Sequence, residues 1–260
     1  MRPFLFLDLS GFLSYFSMLN GKGRYLKTIE YIFRFDDGTK KDFLFEWDKD
    51  TVELKGIKSL SELPAWTDLD FHKCSHCPLD SSKVKSCPLA ASLVNMVQYF
   101  DGLKSFEKVH LQVNMEGKSI TQDSTVQKAV SAMMGLVSAV SGCPHLAFFK
   151  PMAYFHLPLA DKENTIYRAA SMYLLAQYFL AKEGKNHEVD LKGLNKIYKN
   201  ISVVNSSMAD RIREASETDS AINAIVTLDI YAKTAPFYID SSLKNLKNLF
   251  GSYFNYDILQ

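Results

Sequence analysis

Residues 25–47 read YLKTIEYIFRFDDGTKKDFLFEW and predict two β-strands joined by a tight turn. β-Branched and aromatic residues are dense on both sides of Asp36-Asp37-Gly38, and an Asp-Gly pair between two such runs is a strong hairpin signal. A second polar turn precedes residues 51–54, which predict a third strand. We therefore expect a small antiparallel sheet here, and one face of such a sheet must be covered by other elements.

Residues 88–142 predict a helix, a second hairpin and another helix. Apolar residues recur every three or four positions from Leu89 to Phe100, which is the spacing of a helix face. Residues 106–121 alternate between apolar and polar side chains, as in two further strands that can extend the first sheet. The second helix ends at Gly142, a residue that commonly terminates helices.

The rest of the chain predicts helices at residues 163–182, 191–214, 219–233 and 239–253. We expect a break at Ala235-Pro236, because proline lacks the amide hydrogen that continues a helix. Residues 171–180 are apolar nearly all round, which predicts a central helix buried by its neighbours. The predicted fold class is α+β, a small N-terminal antiparallel β-sheet followed by a mainly α-helical bundle.

The predicted organisation has three parts. Residues 1–20 form an N-terminal extension, residues 21–70 an antiparallel meander, and residues 71–260 a cysteine-bearing connector, one hairpin and the helical body. The apolar run at residues 1–17 contains Asp8 and is shorter than the ~20 residues that span a bilayer. We therefore predict neither a signal peptide nor a membrane span, and a cytoplasmic location.

The composition is that of a globular protein, with 47% hydrophobic and 23% charged residues. The net charge is +1, from 30 basic and 29 acidic residues. No overall field attracts polyanions, so we expect no binding to nucleic acid. Interleaved charges at residues 210–214 are typical of a solvated helix face, and we assign them no function.

The four cysteines are the strongest chemical signal in the sequence. Cys74 and Cys77 have the C-x2-C spacing at which a tight turn directs two thiolates at one metal ion. Cys87 and Cys143 bring the number of thiols to that of a tetrahedral all-cysteine site. We predict a structural zinc site at Cys74, Cys77, Cys87 and Cys143, with His72 and His76 as alternate ligands.

Several alternatives use the same thiols. A 4Fe-4S cluster also takes four cysteines, and a disulfide switch or a cysteine-dependent enzyme with a nearby histidine needs no metal. Unligated buried cysteines are a further alternative. Cys77, Cys87 and Cys143 each precede proline, which favours the first position of a helix, so we expect their sulfurs near helix N-termini, where a thiolate is stabilised.

Five motifs stand out along the chain, namely His72-x-Cys74-x-x-Cys77-Pro78-Leu79, Cys87-Pro88-Leu89-Ala90, Ser141-Gly142-Cys143-Pro144, Pro151-Met152-x-x-Phe155-His156-Leu157-Pro158 and the run from Ser171 to Phe179. Together these motifs resemble those of an uncharacterised bacterial family of hypothetical proteins. The resemblance extends from Tyr25 to the C-terminus and implies no activity. We expect the protein to act by binding a protein partner or a second copy of itself.

Overall fold

The computed structural model describes residues 26–56, 63–216 and 219–255, so the predicted extension at residues 1–20 lies outside the described residues. The strands are β1 (Leu26–Phe35), β2 (Lys40–Asp48), β3 (Lys108–Met115) and β4 (Lys118–Thr125). The α-helices are α1 (Pro88–Phe100), α2 (Val126–Val140), α3 (Lys150–Tyr154), α4 (Lys162–Lys182), α5 (Lys192–Ala215), α6 (Asp219–Leu246) and α7 (Gly251–Asn255). Short 3-10 helices occupy Ala65–Thr67, Ala147–Phe149 and Lys247–Phe250.

The four strands form one antiparallel sheet in the order β2-β1-β3-β4. The second hairpin joins the first through β1 and β3, where Phe33 faces Leu111. Ile29, Tyr31 and Phe33 alternate along β1 and are fully buried, as expected for a strand with one face on the core. The α+β class is therefore confirmed.

The predicted third strand at residues 51–54 is wrong. Only Leu54 forms an isolated bridge, to Trp47. Val52 has a positive φ of 51° and its amide bonds back to the Asp48 carbonyl, so the chain turns at this point. The Leu54 amide then donates to the Val140 carbonyl at the end of α2, at 3.0 Å. The segment consequently connects the sheet to a helix.

The helices cover the inner face of the sheet and continue its core. Phe33 of β1 packs edge to face against Phe100 of α1, with ring centroids 5.0 Å apart. One hydrophobic cluster contains these rings, buried residues of α2 such as Met133, and buried residues of α5 and α6 such as Ile212 and Ile225. Within the described ranges, no helix is long and apolar enough to cross a membrane.

Helix α6 continues through the predicted break at Pro236, so that prediction is wrong. Proline removes one backbone hydrogen bond, yet Ala232, Ala235 and Ile239 are buried on the side of α6 that faces the core. Helices in proteins are stabilised mainly by such tertiary packing. The packing of this face accounts for the continuation of the helix.

The prediction that residues 171–180 form a buried central helix is also wrong. In α4 the buried residues are Ile166, Ala169, Ala170 and Tyr173, which form one narrow stripe. Large apolar residues on the remaining surface are exposed, namely Tyr167, Leu174, Leu175, Tyr178 and Phe179. Apolar residues around a whole helix therefore did not imply burial on all sides, because α4 packs through one stripe only.

Gly193, near the start of α5, supplies a test of the packing between α4 and α5. A Cβ atom at this position would lie 2.0 Å from the Tyr173 hydroxyl oxygen. Alanine normally stabilises a helix interior by ~1 kcal/mol relative to glycine, but here we expect Gly193→Ala to destabilise the protein by about 1–3 kcal/mol. Urea denaturation measures the difference. Gly251→Ala is the control, because nothing lies within 4 Å of its Cβ position, and equal effects of the two changes would contradict the prediction.

Candidate metal centre

The connector that precedes α1 folds back on itself and brings Cys87 next to Thr67, at the end of the 3-10 helix Ala65–Thr67. The Cys87 amide donates to the Thr67 carbonyl at 2.7 Å, and the Leu69 amide donates to the Lys85 carbonyl at 2.8 Å. Asp68 and Ser86 form an isolated antiparallel bridge between these two bonds. The two ends of the cysteine-rich stretch are therefore held side by side.

Cys74 and Cys77 lie on the turn at the tip of this connector. The Cys77 amide donates to the Cys74 carbonyl at 3.0 Å, which closes the tight turn predicted for the C-x2-C pair. Burial raises the pKa of the Cys74 thiol, and a hydrogen bond from the Ser207 hydroxyl opposes this shift. Ser207 belongs to α5, so the turn is in contact with the helical body.

Cys87 is the N-cap of α1, and Pro88 occupies the first turn of the helix, as predicted. Its sulfur is therefore near the positive end of the α1 dipole. The same prediction is wrong for Cys77, because residues without regular structure follow it. After Cys143 a turn leads into the 3-10 helix Ala147–Phe149, and the Cys143 carbonyl accepts from the Leu146 and Ala147 amides, so Cys143 does precede a short helical segment. Proline after cysteine was compatible with a turn as well as with a helix start.

The loop that carries Cys143 lies against the start of α1. A Cβ atom built on Gly142 would be 3.8 Å from the Pro88 Cβ, an ordinary van der Waals contact. Backbone N-H groups of His145 and Leu146 donate to the Cys143 sulfur. Burial, opposed by these bonds and reinforced by the neighbouring thiols, raises the pKa of the Cys143 thiol to about 11.

Arg211 of α5 lies near Cys74, Cys77 and Cys87. Its side chain is 2% exposed and donates to the carbonyls of Trp66 and Asp68, both at 2.7 Å, and of Leu69 at 3.0 Å. Burial lowers the pKa of the guanidinium, and the nearby side chains of Cys87, Cys74, Cys77 and Asp68 oppose that shift. No ion pair recorded among the described residues includes Arg211.

The structure thus brings the four predicted cysteines into one region, which we call the cysteine cluster: Cys74, Cys77, Cys87 and Cys143. Cys74 perturbs the pKa of Cys143 and is itself perturbed by Cys77 and Cys87, so the thiols lie within electrostatic range of each other. All four are free, half-buried thiols. As the side chains of the described residues stand, no three or more His, Cys, Asp or Glu form a group that could hold a metal ion.

The two histidines predicted as alternates have different environments. His72 is exposed and its Nε2 lies 3.2 Å from a carboxylate oxygen of Glu214. His76 stacks on His145, with ring centroids 3.9 Å apart, and its Nε2 lies 3.0 Å from the Asn200 carbonyl. The Nδ1 atom of His76 is buried without a hydrogen-bond partner among the described residues. His76 therefore has a buried ring nitrogen that is available to a ligand.

Sequence reasoning missed Arg211, because the charges at residues 210–214 were interpreted as a solvated helix face. A signal was present in the helical spacing. Arg211 follows Val204 and Met208 at intervals of four and three residues, and all three side chains are buried on the same face of α5. An arginine in register with a buried stripe needs buried acceptors or an anion, which distinguishes it from its exposed neighbour Arg213.

Comparisons with known proteins extend this description. Neither the search of curated proteins nor the search of solved structures found a significant match. The model of the family described as a domain of unknown function (DUF6901) matches residues 29–251. This range includes the whole cysteine cluster and all of the sheet except residues 26–28 of β1. With most of its length matched, the chain belongs to this family of unknown function.

Proposed function

We propose that the cysteine cluster binds one metal centre, with zinc as the metal, and that this centre fixes the connector against the helical body. The observation that carries the proposal is the burial of Arg211 beside three of the thiols, in a position where the Asp68 carboxylate acts on the guanidinium without forming an ion pair in the described structure. A buried cation favours anionic neighbours, and a zinc ion with four thiolates carries net negative charge.

Hydrogen bonds to the sulfurs further support ligation by thiolates. The Cys143 sulfur accepts two backbone N-H groups, and the Cys74 sulfur accepts the Ser207 hydroxyl. Such bonds orient metal ligands and stabilise their anionic form. Burial raises the pKa of both thiols, so these cysteines are protonated near neutral pH unless a cation offsets the charge. A bound metal ion supplies that cation.

The proposed role is structural. The ligands come from the connector, from the start of α1 and from the loop after α2, and Ser207 and Arg211 of α5 contact the same region. A metal centre would join segments that are remote in sequence. It would thereby preserve the orientation of the sheet on the helices, in the manner of structural zinc sites, which contribute directly to folding.

A 4Fe-4S cluster is the second candidate. The described side chains do not converge on the position of a single ion, and a zinc ion with Zn-S bonds of ~2.3 Å requires sulfurs roughly 3.8 Å apart. A cluster of eight atoms separates its ligand sulfurs more widely and also uses four cysteine thiolates. Elemental analysis separates this candidate from zinc.

Metal analysis of protein purified without oxygen, from cells supplied with zinc and iron, tests the proposal. We expect one zinc per chain, and we expect Cys87→Ser and Cys143→Ser each to lower the metal content by about tenfold or more, because each removes one ligand. Ser82→Ala, at an exposed position of the same connector, is the matched control and should retain the metal.

Other outcomes have defined meanings. Iron and sulfide in place of zinc would assign the cluster, and loss of metal in His76→Gln would add that histidine to the ligands. If protein purified in this way contains no metal and its four thiols react freely with a thiol reagent, both metal proposals are overturned. A single fast-reacting thiol would then favour the cysteine-dependent enzyme, and reversible loss of two thiols on oxidation would favour the disulfide switch.

A protein partner or second copy is also part of the proposed function. The exposed apolar residues of α4, which include Leu174, Tyr178 and Phe179, support this proposal, because protein interfaces cover such surfaces. The cytoplasmic location likewise stays a prediction. It is consistent with the proposed chemistry, since reduced thiols are available for metal binding in that compartment.

A further inference from the structure

A second region of the molecule contains a cavity that is separate from the cysteine cluster. It has a volume of about 540 Å³ and lies between α2, the segment around α3, the first half of α4, α5 and α6. Its wall is mainly carbon, from residues such as Leu136, Met152, Leu157, Ile201 and Leu228. Cavities of roughly 300–1,000 Å³ with apolar walls and a few polar groups are the usual form of small-molecule sites.

Polar side chains with unused hydrogen-bonding capacity line this cavity. Asn205 is 5% exposed and forms no side-chain hydrogen bond to any described residue. The buried hydroxyl of Tyr231 lies beside Tyr198 and Thr165 without a hydrogen bond of normal geometry. These groups can therefore hydrogen-bond to polar atoms of a ligand in the cavity.

Arg168 of α4 places a positive charge at the wall of the cavity. Its Nη2 donates to the carbonyls of Met152 and Phe155, at 2.8 and 2.6 Å, and these bonds fix the guanidinium at the wall. No described residue accepts a bond from Nε or Nη1, and no ion pair recorded in the described ranges includes Arg168. The other charged residues of the lining are Lys128 and Asp161, and the Asp161 carboxylate already caps α4.

We infer that this cavity binds a small monocarboxylate with an apolar body, whose carboxylate contacts Arg168 and whose chain or ring occupies the carbon-lined interior. A planar guanidinium matches a carboxylate through two parallel hydrogen bonds. One fixed arginine balances one negative charge, which favours a carboxylate over a phosphate dianion. Asn205 and Tyr231 are available for a second polar group of the ligand.

Titration calorimetry with octanoate and 4-phenylbutyrate, their neutral amides and octyl phosphate tests this assignment on the full chain. The carboxylates should bind about tenfold or more tightly than the amides, because only they form charge-assisted bonds to Arg168. Arg168→Gln should remove this preference and leave the affinity for the amides unchanged. Arg34→Gln, at an exposed arginine of β1, is the matched control and should retain the preference.

A second variant covers the possibility that Arg168→Gln loosens the segment around α3. Ala132→Phe places a ring in the cavity from α2 and should abolish binding of all probes while the circular dichroism spectrum stays that of the wild type. The inference would be overturned by equal affinities for carboxylate and amide, by tighter binding of octyl phosphate, by undiminished binding to Ala132→Phe, or by no binding to folded wild-type protein.

Discussion

Replacing Arg211 with methionine is expected to lower the free energy of unfolding by about 3–5 kcal/mol. Methionine fills a similar volume but cannot donate to the carbonyls of Trp66, Asp68 and Leu69, which then lose three hydrogen bonds from the guanidinium. Each buried acceptor left unpaired carries a desolvation cost. Because these carbonyls fix the connector, we also expect the metal content of the cysteine cluster to fall.

Urea denaturation of metal-free and metal-loaded protein measures this effect and separates its two parts. Arg213→Met is the matched control, since Arg213 is exposed two positions away and pairs with Asp210 on the surface, where a change of less than about 0.5 kcal/mol is expected. Arg211→Lys should be intermediate, because one ammonium group cannot reproduce the fork of the guanidinium. A loss below 1 kcal/mol in the metal-free methionine variant would contradict the expected role of Arg211.

Acidification is expected to destabilise the protein through His156, by about 2 kcal/mol between pH 7 and pH 5. Burial lowers the pKa of His156 to about 3, and the nearby cations Arg168 and Lys27 act in the same direction. In the unfolded chain the same imidazole takes up a proton near pH 6.5. Between these values the unfolded state binds more protons than the folded state, so stability falls as the pH is lowered from about 6.5 towards 3.

The Nε2 of the neutral His156 lies 2.5 Å from the Tyr31 hydroxyl. Burial raises the pKa of Tyr31, so this phenol stays protonated and hydrogen-bonds to the neutral ring. His156→Gln keeps a hydrogen-bonding partner for Tyr31 but cannot take up a proton. The variant should therefore reduce the number of protons taken up on unfolding below pH 6.5 by up to one, so its stability should depend less on pH. The control His187→Gln changes an exposed histidine, and an equal flattening there would refute the assignment.

Local signals were sufficient for the two hairpins of the sheet. The hairpin of β1 and β2 follows from alternating side chains around Asp36-Asp37-Gly38, and both signals are properties of neighbouring residues. The order β2-β1-β3-β4 is different, because the pairing of β1 with β3 depends on contacts between remote residues. Sequence patterns allowed this pairing but did not specify it.

The helical half shows where local patterns fail. Pro236 predicts a break, but the buried face of α6 extends beyond it. The apolar surface of α4 predicts burial, although only one stripe has neighbours. In both cases the outcome depends on which surfaces the tertiary fold provides, and the sequence of one helix does not contain this information.

For the cysteine cluster, sequence spacing found the thiols but not their surroundings. The C-x2-C turn and the N-cap position of Cys87 are local features and are present. The contact of Gly142 with Pro88 and the burial of Arg211 arise from chain folding. The unpaired groups around Arg168 were likewise beyond sequence analysis, because a cavity is defined by several helices together.

The hydrogen bonds of Arg211 also set an order of events during biosynthesis. The donor follows its acceptors by 142 to 145 residues, so a nascent chain that ends before α5 contains all four cysteines but lacks the side chain that holds the connector. We therefore expect the thiols to be accessible on the ribosome and to become protected only after α5 has been synthesised and has docked.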